Sequence, residues 1–248
     1  MNPKSRRPYL SIILLFLLVS LACTIPGLDR QSDVWPEPTP ETDTLSFTLP
    51  NYTVSLEPGA YVPGTFMSYR GLSGNNYEVS IDGLTAIKRA GDSFIWDGIV
   101  AQAVYAQYNL RLGMTTVAGT LPADGAVVIY VFNPTPQSVP QLPPQVETAV
   151  HYQNIRIDYI VPPGHRIPGT DVTYDGIAQT ILGDPQGQLS GLTGYPYLAQ
   201  GDTFLWIGAL RPNVALRYNL ETAVLNEQGI RLVGHADLWV WRLPIPTR

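Results

Sequence analysis

The chain of 248 residues has one cysteine, Cys23, and only three histidines, His151, His165 and His235. A single thiol excludes an intramolecular disulfide framework and any zinc site of the Cys₄ or Cys₂His₂ kind. Charge is scarce too: 14% of residues are Asp, Glu, Lys or Arg, against about 25% in an average soluble domain. There is no basic run beyond Lys4, Arg6 and Arg7, and the net charge is −5. That balance argues against nucleic acid as a partner. Long apolar runs and helical periodicity are absent after the first two dozen residues. Catalytic motifs are missing as well. The histidines fall in no HExxH arrangement, and no Gly-x-Ser-x-Gly elbow, P-loop, GxGxxG fingerprint or DxDxDG loop occurs. No cofactor and no metal are expected, and the expected role is not enzymatic. What is plentiful is apolar residues, at 45%, with 23 prolines and 22 glycines. Disorder is thereby excluded, since it needs low hydrophobicity and high charge.

The N-terminus reads as a processing segment. Lys4, Arg6 and Arg7 precede the apolar stretch Leu10 to Leu21, which is too short to span a bilayer comfortably, since that takes about 20 residues. It ends at Ser20-Leu21-Ala22-Cys23, followed at once by polar, Pro-rich sequence. This resembles the signal of a bacterial lipoprotein, with Ala22 in the small-residue place before the cysteine and Ser20 where an aliphatic residue is usual. The resemblance covers only residues 1–23. It implies that Cys23 is lipidated, that the signal 1–22 is removed, and that the protein is extracytoplasmic and anchored to the cell membrane. Cleavage would leave 12 basic against 20 acidic residues, a net charge of −8. An ordinary signal peptide and an uncleaved helical anchor are the alternatives; both also place the body outside the cytoplasm.

Residues 23–45 form a Pro-rich tether after the lipidated cysteine, able to span about 60–70 Å if fully extended. Residues 135–149 read as a second Pro-rich linker. Between and after them runs an internal repeat. Pro58-Gly59, Pro63-Gly64-Thr65 and Tyr69-x-Gly71 recur 105 residues later as Pro163-Gly164, Pro168-Gly169-Thr170 and Tyr174-x-Gly176. Gly83-Leu84-Thr85 recurs after 108 residues at Gly191-Leu192-Thr193. Gly91-Asp92-Ser93-Phe94-x-Trp96-x-Gly98 recurs after 110 as Gly201-Asp202-Thr203-Phe204-x-Trp206-x-Gly208, and Tyr108-Asn109-Leu110 as Tyr218-Asn219-Leu220. Pro134 and Pro244 close the copies. The repeat predicts two units, 46–134 and 150–248.

Within each unit the apolar residues alternate. Leu210, Val214, Leu216, Tyr218, Leu220 and Val224 share one parity; Arg211, Asn213, Arg217, Asn219 and Glu221 share the other. Val104, Ala106, Tyr108, Leu110 and Leu112 repeat the pattern. A period of two makes a strand with one buried and one wet face. Gly and Pro punctuation every 8–12 residues suits a sandwich or small barrel. The expected fold is therefore all-β: two tandemly duplicated antiparallel β-sandwich units, immunoglobulin-like or jelly-roll-like.

Residue types kept in both copies are expected to serve the fold. Asp92 and Asp202 follow Gly in turn sequences, and Trp96 and Trp206 follow Phe94 and Phe204 at i+2, as packed cores do. Trp239 and Trp241 align with Ile129 and Val131 at the same spacing of 110, so the second unit carries extra aromatics there. Together with Tyr195 and Tyr197, these two tryptophans are the candidates for stacking on a ligand such as a sugar ring. The loop acids Asp82, Asp97, Asp171, Asp175 and Asp184 are the candidates for a catalytic carboxylate pair. The sequence thus points to a lipid-anchored structural or interaction protein of the cell envelope. A carbohydrate-binding lipoprotein is the alternative and a glycan hydrolase a more distant one. The partners implied are the membrane, through the lipid, and an envelope polysaccharide or protein.

Overall fold

The computed structural model describes residues 43–116, 119–179, 185–192 and 194–242. The signal segment, Cys23, most of the tether, Asp184, Thr193 and Pro244 lie outside the described residues. The described residues all belong to one compact unit. Among the described residues there is no α-helix, and no helix is long and apolar enough to cross a membrane.

The first half contributes β1 (Thr44–Leu56), β2 (Met67–Ser73), β3 (Asn76–Ile81), β4 (Leu84–Lys88), β5 (Ser93–Ala101), β6 (Val104–Leu112) and β7 (Leu121–Phe132). The connection that follows holds a short strand, β8 (Gln137–Ser138), and one 3₁₀ turn, Pro144–Thr148. The second half contributes β9 (Val150–Val161), β10 (His165–Arg166), β11 (Thr173–Gln179), β12 (Pro185–Ser190), β13 (Tyr197–Leu198), β14 (Thr203–Arg211), β15 (Val214–Asn226) and β16 (Gly229–Val240).

All pairings are antiparallel, as the expected all-β sandwich requires. The first half has sheets β1-β7-β6-β5 and β2-β3-β4; the second has β9-β16-β15-β14-β8 and β10-β11-β12-β13. The first strand of each half thus pairs with its last, an order distinct from the ABED and CFG sheets of an immunoglobulin constant domain. Each half runs through the same order in its larger sheet.

Local geometry matches between the halves at the repeated residues. Gly59 and Gly164 have φ of +87° and +80°, and their N–H groups donate to Tyr69 O and Tyr174 O at 2.7 Å. Thr65 and Thr170 Oγ1 donate to Val62 O and Ile167 O, each at 2.9 Å. Asp92 and Asp202 cap their turns by accepting the Arg89 and Ala199 N–H at 2.8 and 2.7 Å. Trp96 and Trp206, with Phe94 and Phe204, are buried in the core.

One buried core runs through both halves. The larger sheets meet where edge strand β1 packs on edge strand β9. Tyr108 Oη and Tyr152 Oη are 2.7 Å apart at this junction, and Tyr108 also donates to Pro63 O at 2.9 Å. Asn213, expected on a wet face, is buried because its Nδ2 donates to Gln102 O across the junction at 3.0 Å. Arg211 Nη1 donates to Phe132 O and Asn133 O at 2.9 and 2.7 Å, fastening the end of β7 to β14. The Pro-rich connection is more than a spacer, because β8 forms an edge strand on β14.

Candidate functional site

The junction between the halves creates two openings. The first is a cavity of about 560 Å³. It is bordered by Tyr61 and Gly64 from the β1–β2 loop, Val100 from β5, Thr148 from the 3₁₀ turn, and Trp241 and Arg242 beyond β16. Tyr61 is held in place by a bridge to Ser68 and by the turn in which Val62 N–H donates to Met67 O at 2.9 Å, yet it stays 61% exposed. Trp241 is positioned by its backbone N–H donating to Asn213 O at 3.1 Å and is half-buried. The Arg242 guanidinium lies 5.6 Å over the Phe66 ring. Tyr61, Trp241, Thr65, Thr148, Gln145 and Arg242 are the aromatic and polar members of the lining, and among the described residues no carboxylate belongs to it. Cavities of this size at domain junctions, mainly apolar with a few polar groups, are the usual form of ligand sites.

The second opening, about 660 Å³, lies between the bend of β1 at Leu49–Thr53 and strands β9 and β16. His151, Arg156 and His235 line it with Asn51, Gln153 and Asn154. Two of the three histidines are thus brought to one cavity by the fold. Asp237 lies beside it, 4.0 Å from His151 Nε2, and accepts hydrogen bonds from Arg217 and from the Asn154 N–H, the latter at 3.1 Å. Burial pushes the His151 pKa down, an effect that Asp237 opposes and Arg217 adds to.

The tryptophans and tyrosines singled out as stacking candidates are not in one place. Trp239 is only 6% exposed. His151, directly opposite on β9, stacks on it with centroids 4.4 Å apart at 15°, and Arg217 covers it at 5.3 Å. No room remains there for a sugar ring. Trp241 alone reaches the first cavity. Tyr195 is 69% exposed and meets Tyr197 edge-on at 5.4 Å, beside the sheet containing β13.

The alignment of Trp239 with Ile129 is also corrected. Val104 pairs with Val131 and Val214 with Val240, so Trp239 occupies the place of Tyr130, and Leu238 that of Ile129. The second half reaches its last strand one residue sooner, which shifts the spacing from 110 to 109.

Of the acids expected in loops, Asp97 lies instead in β5 and Asp175 in β11, because each falls within a run of paired strand residues; the four described acids each have a structural partner. Asp82 Oδ1 accepts the Trp96 indole N–H at 2.9 Å, Asp97 accepts the Tyr105 hydroxyl, and Asp175 Oδ1 accepts from Ser190 at 3.0 Å. Asp171 accepts from Ser138 N–H at 2.8 Å, Ser138 Oγ at 2.6 Å and Trp206 Nε1 at 3.0 Å. Burial alone would raise the Asp171 pKa; the bonds from Ser138 and Trp206 outweigh it and hold the carboxyl below its usual range. Among the described residues no group of three or more His, Cys, Asp or Glu is placed to hold a metal ion.

No family model, curated protein or solved structure matches this chain. A functional reading therefore rests on its own residues. Tyr61 and Arg242, which complete the first cavity, carried no sequence signal. They belong to no repeated motif, and their place depends on how the halves meet.

Proposed function

We propose that this is an extracytoplasmic lipoprotein, anchored by lipid on Cys23, that binds a partner at the cell envelope through the cavity between its two β-sandwich halves. The halves are read as copies of one ancestral unit, a reading supported by the ordered sequence matches and the shared strand order. The observation that carries the binding role is the pairing of Tyr61 and Trp241 on a cavity to which both halves contribute. The anchor rests on the signal ending Leu21-Ala22-Cys23.

A second reading specifies the partner as carbohydrate. Two aromatic rings, accompanied by Gln145, Thr148 and Arg242, offer the faces and hydrogen-bonding groups that a sugar uses. A glycan and peptidoglycan binding screen on the full chain tests both. Binding to a glycan that is lost in Trp241→Ala and Tyr61→Ala but kept in Tyr195→Ala supports the carbohydrate reading. Glycan binding unchanged by Trp241→Ala overturns the assignment to this cavity. For the anchor, Cys23→Ser should move the protein from the membrane to the soluble fraction; unchanged fractionation refutes lipidation there.

A further inference from the structure

Strands β5 and β14 hold equivalent places in the two larger sheets, but among the described residues only β14 carries a further strand on its outer side. In the second half β8 pairs with β14, with Ser138 opposite Gly208 and Gln137 opposite Ala209, and Val139 N–H donates to Ile207 O at 3.0 Å. The equivalent places on β5 are Asp97, Gly98 and Ile99, since Gly98 pairs with Ala106 as Gly208 pairs with Leu216. Among the described residues no strand pairs with the outer edge of β5. The nine-residue strand presents Ile95 at 52% and Ile99 at 70% exposure, with half-exposed Phe66 meeting the Trp96 ring edge-on at 6.5 Å. A long, open, apolar strand edge is the usual template for an added strand.

The covered edge indicates what an occupant of the open one must be. On β14 the visiting strand is recognised by a side chain: Ser138 Oγ donates to Asp171 and accepts from Trp206 Nε1 at 2.9 Å. On β5 both polar partners are missing. Phe66 stands 105 residues before Asp171, at the same step of the repeat, and the Trp96 N–H already donates to Asp82. A serine at that position would lose its hydrogen bonds, whereas an apolar side chain would meet Phe66 and Trp96.

We propose that the β5 edge binds an extended segment of a partner polypeptide, held by backbone pairing to Asp97 and Ile99 and selected for an apolar side chain at the position that Ser138 fills on β14. This surface adjoins the cavity between the halves, since Arg242 of the cavity lining lies over the Phe66 ring, but the paired backbone of Asp97 and Ile99 is not part of that lining.

The test uses two labelled peptides with the full chain in detergent: Pro134–Pro140 of this sequence (PTPQSVP) and its leucine version (PTPQLVP). The leucine peptide should bind at least about fivefold more tightly, and Ile99→Pro, which removes one outward N–H from an edge strand, should weaken it about tenfold or more. Ile99→Ala keeps that N–H and should change affinity much less. Hydrogen exchange on the unmutated chain provides a check independent of the variants: the amides of Asp97 and Ile99 should become protected when the leucine peptide is added. Failure of both peptides to bind, equal affinity for the two, or no added protection at those amides overturns the proposal. A dimer abolished by Ile99→Pro, with no peptide binding, also overturns it and assigns the edge to a second copy.

Discussion

Tyr108 and Tyr152 share a hydrogen bond of 2.7 Å although one belongs to the first half and the other to the opening strand of the second. Both rings are fully buried, and burial raises the pKa of each phenol. The bond therefore stays intact throughout the physiological pH range. In the second half the equivalent Tyr218 turns instead to Tyr159 of its own half, at 3.1 Å. Burial pushes Tyr159 up to about 12.

Because the core is continuous through this pair, the two halves should unfold together. Guanidinium unfolding followed by tryptophan fluorescence and by far-UV circular dichroism should give one coincident transition. Tyr152→Phe should cost about 1 kcal/mol, as the loss of one buried hydrogen bond does, and Tyr152→Ala about 3–5 kcal/mol. Two separate transitions, with only one moved by Tyr152→Ala, would show independent halves.

Asp171 links β8, β14 and the loop before β11, and its folded-state pKa lies below the ordinary carboxylate value. A depressed carboxyl stabilises the fold above its unfolded pKa of about 3.9 and loses that contribution as pH falls through the folded value. Protection of the Val139 amide, its exchange rate relative to that of an unstructured amide at the same pH, should fall on acidification below about pH 4. Asp171→Asn should raise exchange already at pH 7 and remove that acid dependence.

His151 gives a different pH window. Its folded pKa is lowered by burial, so the folded state resists protonation that the unfolded chain accepts at about pH 6.5. Stability should therefore decline as pH falls from about 7 through the ordinary histidine range and level off below the folded value. His151→Phe, which can still stack on Trp239, should flatten that part of the melting-temperature profile. An unchanged slope would exclude His151 as its source.

Gly125 and Gly234 hold the same place in the last strands of their sheets, with φ of +155° and +156°. A Cβ there would lie 2.1 Å from Asn109 O and 2.3 Å from Asn219 O. Either Gly→Ala variant should lose about 3 kcal/mol or more by chemical denaturation, since the obstructing atom is backbone. A loss below 1 kcal/mol would show that β6 and β15 can move aside.

How far these features were legible in sequence depended on whether they were local. Gly91-Asp92 and Gly201-Asp202 announced capped turns because the Asp bonds a backbone group three residues away. The alternation through Val104–Leu112 and Val214–Leu220 announced faces because a strand fixes them by parity alone. Trp239 misled because its cover, His151 and Arg217, comes from other strands. Asn213 looked wet because its partner Gln102 is 111 residues away. β8 was hidden in a Pro-rich stretch whose composition speaks for extended chain but not for what that chain pairs with.

The packing of β9 on the first half also sets an order of events during synthesis. Gly64 lies against Val150 and Tyr152: a Cβ added there would come within 3.4 Å of Val150 Cγ2 and 3.3 Å of Tyr152 Oη. A nascent chain that has delivered β1 to β7 thus has a bare apolar patch around Gly64, Val100 and Tyr108 until roughly two dozen further residues emerge. The first half matures only when its successor arrives, so neither half can be shuffled into another protein as a ready-made module without a substitute for the strand it loses.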